Sequence, residues 1–233
     1  MRRRRKINLL VGLGVVVGLA IITVATTLAG ALLSNDTFDG PKVDIVDHVP
    51  DSDATNSGWS VELGDWEVKG GEVKEKSDAN ANVSSDYRAL LDAGVPDVAT
   101  EVTLKIDGGD QLWGTVVRYT DEHDWIMVFH DGVGEIVLGK KRPDEDLIGD
   151  TVALIDPSAG GFQELGRVAA VWSSGQTHTI GLEVIGSAIV AYADGLPVLN
   201  ATDDDSMVSP FVGIFSRGDG GNKLEDFTVN AAP

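Results

Sequence analysis

The stretch VATEVTLKI at residues 98–106 decides the fold class of this chain. One set of positions is apolar or β-branched and alternates with a more polar set: Val98, Thr100, Val102, Leu104 and Ile106 against Ala99, Glu101, Thr103 and Lys105. Period-two alternation indicates a β-strand with one buried face. The pattern therefore predicts a sheet that packs against a second layer.

Nine further stretches outside this one have strand composition, and they begin at Trp66, Trp113, Trp125, Glu135, Arg167, His178, Ala188, Pro210 and Leu224. Turn residues separate them. Asp194-Gly195 is the strongest hairpin signal, because a type I′ turn needs positive φ at both central residues. Only DYRALLDAG at residues 86–94 has helical character, and residues 144–161 are typical of a surface loop. These signals predict an all-β, two-sheet antiparallel sandwich over residues 34–233.

Residues 1–33 form a separate unit, a basic stub followed by an apolar run. Residues 2–6 are all basic, and residues 9–33 contain no charged residue. As a helix this run would span roughly 38 Å, more than the ~30 Å hydrocarbon core of a bilayer. The basic stub predicts a cytoplasmic N-terminus and an extracellular sandwich. The alternative is a signal peptide cleaved near Ala31, which would make the protein secreted.

Two features of the composition bear on partners. The G-x-x-x-G spacing of Gly14 and Gly18 can bring two membrane helices together, so an oligomer is a further expectation. The net charge is −19, and every acidic residue follows the apolar run. Such a surface repels nucleic acid, which is not expected as a partner. The absence of cysteine excludes disulfides, a thiol nucleophile and a cysteine zinc site.

Three groups of motifs occur in a recognisable order. They are DTFDG, HVPD and GWSVELGDWEVKGGEV within residues 36–73; VVRYTDEHDWIMVFHDGVGEIVLGKK at residues 116–141; and GQTHTIGLEVIGSAIVAYADGLPVLNATD at residues 175–203, followed by VGIFSRG and LEDFTV. In this order they resemble concanavalin A-like (laminin-G-like) jelly-roll domains. The closing half is also similar to 3-keto-disaccharide hydrolase-like domains. The resemblance implies a jelly roll in which the strand near Phe38 lies close to the strand ending at Val229.

The resemblance leaves function open, because this fold hosts lectins, glycosidases, adhesion modules and virion parts. The family-16 glycoside hydrolases that share it carry an E-x-D-x-x-E strand, and the sequence has no such triplet. A retaining glycosidase needs two carboxylates ~5–5.5 Å apart. The four histidines have no metal-site spacing. The leading hypothesis is therefore a non-catalytic module that binds carbohydrate or another surface partner. A structural part of a surface assembly or virion is the alternative, and a glycoside hydrolase-like enzyme is the third.

The central hairpin carries the candidate binding site. If Tyr119 pairs with Trp125 across a five-residue loop, Arg118 and His130 lie on one sheet face, with Val116 opposite Val128. A guanidinium offers a fixed fork of donors for sugar hydroxyls or a carboxylate. In the other interpretation, Arg118 pairs with a nearby carboxylate and His130 is a solvated strand-end residue.

Four further residues complete the candidate list. Asp124 lies at the mouth of the predicted hairpin, and Trp172, beside a Ser-Ser-Gly turn, is a candidate sugar-stacking platform. Asp203 and Asp205 are candidate calcium ligands, although calcium needs six to eight oxygens from several loops. A solvated acidic loop is the other interpretation of these two residues, and no other cofactor is expected.

Overall fold

The computed structural model describes residues 30–76, 87–106, 112–141, 162–204, 208–217 and 223–233. Residues 1–29, which hold Gly14, Gly18 and most of the predicted membrane helix, lie outside this part of the chain. The predicted loop at 144–161 and the candidate ligand Asp205 lie outside it as well. Among the described residues, no helix is both long enough and apolar enough to cross a bilayer.

The described residues form strands almost throughout, joined by short turns and one 3-10 helix at Ile45–Asp47. The strands are β1 (Leu32–Asp36), β2 (Val43–Asp44), β3 (Ser52–Asp53), β4 (Ser60–Leu63), β5 (Trp66–Val68), β6 (Val73–Glu75), β7 (Tyr87–Asp92), β8 (Val98–Lys105), β9 (Leu112–Asp121), β10 (Asp124–His130), β11 (Glu135–Lys141), β12 (Phe162–Ala169), β13 (Thr177–Ile185), β14 (Ala188–Ala193), β15 (Leu196–Thr202), β16 (Phe211–Arg217) and β17 (Lys223–Ala231).

Two antiparallel sheets contain these strands, as the sequence predicts. A seven-stranded sheet has the order β12-β11-β10-β9-β16-β7-β4. A ten-stranded sheet has the order β15-β14-β13-β8-β17-β6-β5-β2, with β1 pairing β17 and β3. Strands β1 and β17 place Asp36 opposite Phe227 and Ser34 opposite Val229. The predicted closeness of the first and last strands is therefore confirmed.

The main core lies between the two sheets. Strand β8 shows why the alternation in residues 98–106 is diagnostic: Val98, Val102 and Leu104 are fully buried in this core, whereas Glu101 and Thr103 on the opposite face are half-buried. The Asp194-Gly195 turn also forms as predicted, with φ of 49° and 73° and a two-residue connection from β14 to β15.

The helical expectation for residues 86–94 is wrong, because residues 87–92 form strand β7. The strand pairs with β16 on one side and β4 on the other. Ala89 and Leu91 enter the main core, while Arg88 and Leu90 alternate to the outer face of the seven-stranded sheet. The run of apolar residues fits both the 3.6-residue period of a helix and the two-residue period of a strand. Pairing with two neighbouring strands selects the extended conformation.

The predicted register of the central hairpin is also wrong. Asp121 faces Asp124 across a two-residue loop, and Val117 pairs with Ile126. The register of the pair shifts between Asp124 and Ile126. Arg118 lies opposite this segment, and its backbone φ is 52°. A one-residue shift exchanges the faces of a strand. The side chains of Ile126, Val128 and His130 therefore point inward, and those of Trp125, Met127 and Phe129 point outward.

The sandwich begins slightly earlier than residue 34. Leu32 and Leu33, assigned by sequence to the end of the apolar run, are the first residues of β1. Ala31 accepts a backbone hydrogen bond from Ala231 at 2.9 Å. The start of β1 and the end of β17 thus lie side by side at the end of the apolar segment.

Candidate functional site

The outer face of the seven-stranded sheet carries a second apolar cluster, separate from the main core. Its members alternate with core residues along their strands: Leu90, Leu112, Val116, Tyr119, Trp125, Met127, Phe129, Val137, Phe162 and Phe215. Two glycines lie on the same face. A Cβ atom on Gly114 would lie 1.9 Å from the Val128 carbonyl oxygen, and one on Gly213 would lie 2.1 Å from the Ala89 carbonyl oxygen. Glycine at both positions lets the neighbouring strands approach closely.

A cleft of about 370 Å³ opens at one end of this face. We call it the Arg88 cleft. Strands β4, β7, β9 and β16, with the turn after β9, supply its lining: Glu62, Arg88, Leu90, Tyr119, Thr120, Asp121, Glu122 and Phe211. Its volume lies in the range of small-ligand sites, ~300–1,000 Å³.

Arg88 is held in place by aromatic rings. Its guanidinium carbon lies 5.2 Å from the centroid of the Trp125 ring and 5.5 Å from that of Tyr119, and the residue is 5% exposed. A cation over an aromatic face is stabilised by the ring quadrupole, by about 0.5–2 kcal/mol. The planar fork of donors is consequently fixed at the cleft rather than free to sample rotamers.

Tyr119 supplies a neutral hydroxyl. Burial raises the pKa of Tyr119, the charge of Arg88 opposes that rise, and Glu62 adds to it. The hydroxyl therefore keeps its proton at neutral pH and lies 3.4 Å from Oε2 of Glu62. The Tyr119 backbone carbonyl accepts a hydrogen bond from the Ser209 hydroxyl, which fixes this part of β9 against the segment before β16.

Phe211 completes the aromatic side of the cleft. It is paired with Tyr119 across β9 and β16, and 40% of its surface is exposed. Glu62, Asp121 and Glu122 are exposed polar groups around the same opening. An open aromatic face beside fixed donors and carboxylate acceptors can bind a ligand that has one apolar face and many hydroxyls, which describes a pyranose ring.

Arg118 lies elsewhere. It is 3% exposed, its Nη2 donates to Oδ1 of Asp97 at 2.6 Å, and its Nε donates to the Pro96 carbonyl at 3.2 Å. Asp97 also accepts the Gly186 backbone N–H at 3.2 Å. The guanidinium therefore ties β9 to the segment before β8, and these contacts favour the interpretation in which Arg118 pairs with a carboxylate.

His130 and Trp172 do come together, but away from Arg118. Their rings stack at 4.5 Å with an interplanar angle of 9°, and Trp172 stacks on His178 at 4.2 Å. His130 is buried, not solvated as the second interpretation assumed, and its Nδ1 accepts the Gly132 N–H at 3.0 Å. Arg118 and His130 occupy opposite ends of the hairpin, so they do not form one binding surface.

The two remaining candidates have different surroundings. Asp124 is half-buried at the start of β10, opposite Asp121 of the Arg88 cleft. Asp203 is buried, and its Oδ1 accepts a hydrogen bond from Nζ of Lys140 at 2.5 Å. The Lys140 ammonium group therefore neutralises the charge of this candidate calcium ligand. Among the described residues, no group of three or more His, Asp or Glu side chains has a metal-binding arrangement.

Sequence reasoning misses the residues at the centre of the cleft, Arg88, Glu62 and Phe211. The available signal was the alternation in YRALLD, where Arg88 and Leu90 share one face and Ala89 and Leu91 the other. That signal is hidden by the apolar run that also fits a helix. Asp121 and Glu122, beside the turn where a site on the Arg118 and His130 face was expected, line one wall of the cleft.

Solved structures with the same arrangement of strands are known, although no family model and no curated protein matches the sequence. A carbohydrate-binding module, CBM66, from Bacillus subtilis superimposes with a TM-score of 0.56 at 15% identity, covering 74% of this chain and 94% of that chain. A Bacillus subtilis protein of unknown function with a galectin-like fold gives a TM-score of 0.58 at 11% identity, covering 87% and 96%.

An enzyme is also similar in structure to this chain. An endo-β-1,3-glucanase from Pyrococcus furiosus gives a TM-score of 0.54 at 12% identity, covering 86% of this chain and 94% of that chain. This chain has the concanavalin A-like jelly-roll fold. At these identities the likeness concerns the fold alone, and in this fold the function depends on the residues of the individual site.

Proposed function

We propose that this chain is a carbohydrate-binding module that binds glycan in the Arg88 cleft without cleaving it. The observation that carries the proposal is the Arg88 guanidinium fixed over two aromatic rings, beside the exposed face of Phe211. Aromatic faces stack on the apolar face of a sugar, and fixed donors and acceptors select its hydroxyls. The carbohydrate-binding module and the glucanase with this fold provide further support.

The test is glycan binding by the full chain and by cleft variants. Phe211→Ala removes the exposed stacking face, and we expect it to weaken glycan affinity about tenfold, roughly 1.4 kcal/mol. Leu196→Ala is the matched control, because Leu196 is a comparably exposed apolar residue on the other sheet. Screening a glycan array identifies the ligand, and titration calorimetry then measures the variants.

Arg118→Ala distinguishes this site from the one predicted by sequence. We expect it to leave glycan affinity unchanged, provided the melting curve shows a folded protein, whereas the sequence hypothesis requires a loss of binding. Equal affinity of Phe211→Ala and the wild type would refute the Arg88 cleft as the site.

The two alternative functions give different results in the same experiments. A glycoside hydrolase would release reducing sugar from a bound glycan, and Glu62→Gln would abolish that turnover. A structural component would bind no glycan, with or without calcium, and would co-purify in a defined assembly. The proposal includes display of the sandwich outside the cell, as the basic stub and apolar run predict.

A further inference from the structure

The exposed lysines of this acidic protein are gathered in one place. In the described part of the chain, the lysines with exposed or half-buried side chains are Lys42, Lys69, Lys74, Lys76, Lys105 and Lys223. They lie on or next to β2, β5, β6, β17 and β8, which are neighbours in the ten-stranded sheet. The other two lysines, Lys140 and Lys141, are buried. We call the six the lysine patch.

Three of these lysines form a row across adjacent strands. Lys223 of β17 is directly opposite Lys105 of β8. Because Leu224 pairs with Val73, antiparallel pairing places Lys223 beside Lys74 of β6. Their neighbours Val73, Leu104 and Leu224 point into the main core, so the lysines point outward. Like charges directly opposite each other destabilise a sheet, and violations of local rules concentrate at functional sites.

Carboxylates of the described residues form ion pairs with several of these lysines. Glu72 contacts Nζ of Lys105 at 3.0 Å and of Lys223 at 3.2 Å, and Glu225 lies 3.7 Å from Lys105. Glu67 and Asp65 pair with the lysines at the other side of the patch, Lys42 and Lys76. Among the described residues, these ion pairs involve Lys42, Lys76, Lys105 and Lys223 but neither Lys69 nor Lys74.

The two remaining ammonium groups border a cleft. Among the described residues, no carboxylate lies within 4.0 Å of Lys69 or Lys74. Both line a cavity of about 330 Å³ together with Lys223, Gly70, Glu67 and Glu72. A cavity of this size accommodates a group as large as one sugar residue. Three of the six residues that line this cavity are lysines, in a chain whose net charge is −19.

The turn that carries Lys69 is rigid. Lys69 donates its backbone N–H to the Glu72 carbonyl at 2.8 Å, and Gly70 and Gly71 take φ of 61° and 85°, which favour glycine. The N–H groups of Gly70 and Gly71 donate to the carbonyls of Gly40 and Phe38 at 3.1 and 3.0 Å. The cavity wall is therefore formed before any ligand arrives, which lowers the entropic cost of binding.

We propose that the lysine patch binds the carboxylate or sulfate groups of an acidic polysaccharide, at a site distinct from the Arg88 cleft. The patch lies on the outer face of the ten-stranded sheet, whereas the Arg88 cleft lies on the outer face of the seven-stranded sheet. A flexible polymer can place a single charged sugar in the cavity. Such a polymer can bend away from the acidic remainder of the protein, whereas a stiff nucleic acid duplex or a lipid surface would hold many negative charges close to it.

The test uses the full chain and three polymers: polygalacturonate, dextran sulfate and uncharged dextran. We expect affinity electrophoresis to show retardation by at least one of the two acidic polymers and none by dextran, with retardation decreasing as salt is added. Lys74→Gln should weaken binding about fivefold, and the double variant Lys69→Gln/Lys74→Gln should weaken it further. Arg167→Gln is the charge-matched control, because Arg167 is a partly exposed cation on β12 of the other sheet.

Stability and specificity measurements decide the remaining outcomes. The melting temperature of Lys74→Gln should equal or exceed that of the wild type, because the substitution removes like-charge repulsion; a large decrease would make Lys74 structural. Equal losses in Lys74→Gln and Arg167→Gln would reduce the effect to net charge and overturn the site. Retention of single-stranded DNA as strong as that of the polysaccharides would overturn the proposed ligand class. Phe211→Ala should leave this binding unchanged, which separates it from the Arg88 cleft.

Discussion

At the scale of single residues, two arginines of similar burial have different surroundings. Arg88 is 5% exposed and Arg118 3% exposed. Arg118 hydrogen-bonds a carboxylate and a backbone carbonyl, whereas Arg88 lies over the Tyr119 and Trp125 rings at the edge of an open cleft. Burial alone therefore does not separate a scaffold arginine from a candidate binding residue; the adjoining cavity does.

His130 should make stability depend on pH. Its Nδ1 accepts the Gly132 N–H, so its proton lies on Nε2, which donates to the Ala170 carbonyl at 2.9 Å. Burial lowers the pKa of His130, an effect that the Ala170 hydrogen bond and Asp131 oppose and that His178 reinforces. The neutral imidazole is the form that fits this environment, with the Trp172 ring stacked on it and the Trp113 ring tilted against it.

The direction of this pH dependence follows from the proton that His130 takes up when the protein unfolds. In the unfolded chain the pKa of His130 returns to about 6.5, so the unfolded state binds more protons than the folded state in the window below that value. The contribution of His130 to folding stability is therefore present above about pH 6.5. It is lost as the pH falls toward the pKa of His130 in the folded state, which is lower. We expect the wild type to melt at a lower temperature at about pH 5.5 than at about pH 7.5.

The variant His130→Asn isolates this contribution. It should lower the melting temperature at neutral pH and reduce the difference between the two pH values. His123→Asn is the control, because the His123 side chain is 38% exposed. A pH difference that is the same in the His130→Asn variant and the wild type would exclude His130 as its source.

At the scale of secondary structure elements, the hairpin of β9 and β10 depends on close contact at Gly114. A Cβ atom there would lie 1.9 Å from the Val128 carbonyl oxygen and 2.7 Å from the Phe129 Cα, both backbone atoms that cannot move aside. We expect Gly114→Ala to destabilise the protein by about 2 kcal/mol, within the usual cost of overpacking. Denaturant unfolding at equilibrium measures the effect.

Gly166→Ala in β12 is the matched control. A Cβ atom on Gly166 would meet the end of the flexible Leu199 side chain at 3.3 Å. The free energy of unfolding of the Gly166→Ala variant should change by less than about 0.5 kcal/mol, or increase because alanine restricts the unfolded chain. If both variants lost stability equally, the steric account of Gly114 would be wrong.

At the scale of the whole molecule, the sandwich follows the predicted anchor directly. Strand β1 begins at Leu32, and the apolar run from residue 9 to residue 31 still spans roughly 34 Å as a helix, enough for a ~30 Å hydrocarbon core. An anchor ending there would hold the start of β1 and the end of β17 close to the membrane. Cleavage after Ala31 would leave every residue of β1 in place.

Protease treatment of intact cells that express the full chain tests this prediction. We expect release of the sandwich, with the apolar helix retained in the membrane fraction, while a cytoplasmic marker protein stays intact. A chain that is recovered from the medium and begins at Leu32 would instead establish a cleaved signal peptide and remove the anchor.

The local features of this fold could be predicted from the sequence. Alternation in residues 98–106 identifies β8, and Asp194-Gly195 identifies the turn between β14 and β15, because these patterns depend on residues that are neighbours in the chain. The order of weak motifs was enough to indicate the concanavalin A-like jelly roll.

The tertiary structure alone decided which side chains meet. The bulge at Arg118 and the two-residue turn shift β10 by one residue from the predicted register, so that Trp125 points outward and Ile126 and Val128 point inward. Pairing with β4 and β16 makes β7 a strand and brings Arg88 over the rings of Tyr119 and Trp125. The lysine row arises from three strands that are far apart in sequence. Register and long-range pairing depend on the whole sheet, so the sequence determined the strands of this protein and the assembled sheets determined its surfaces.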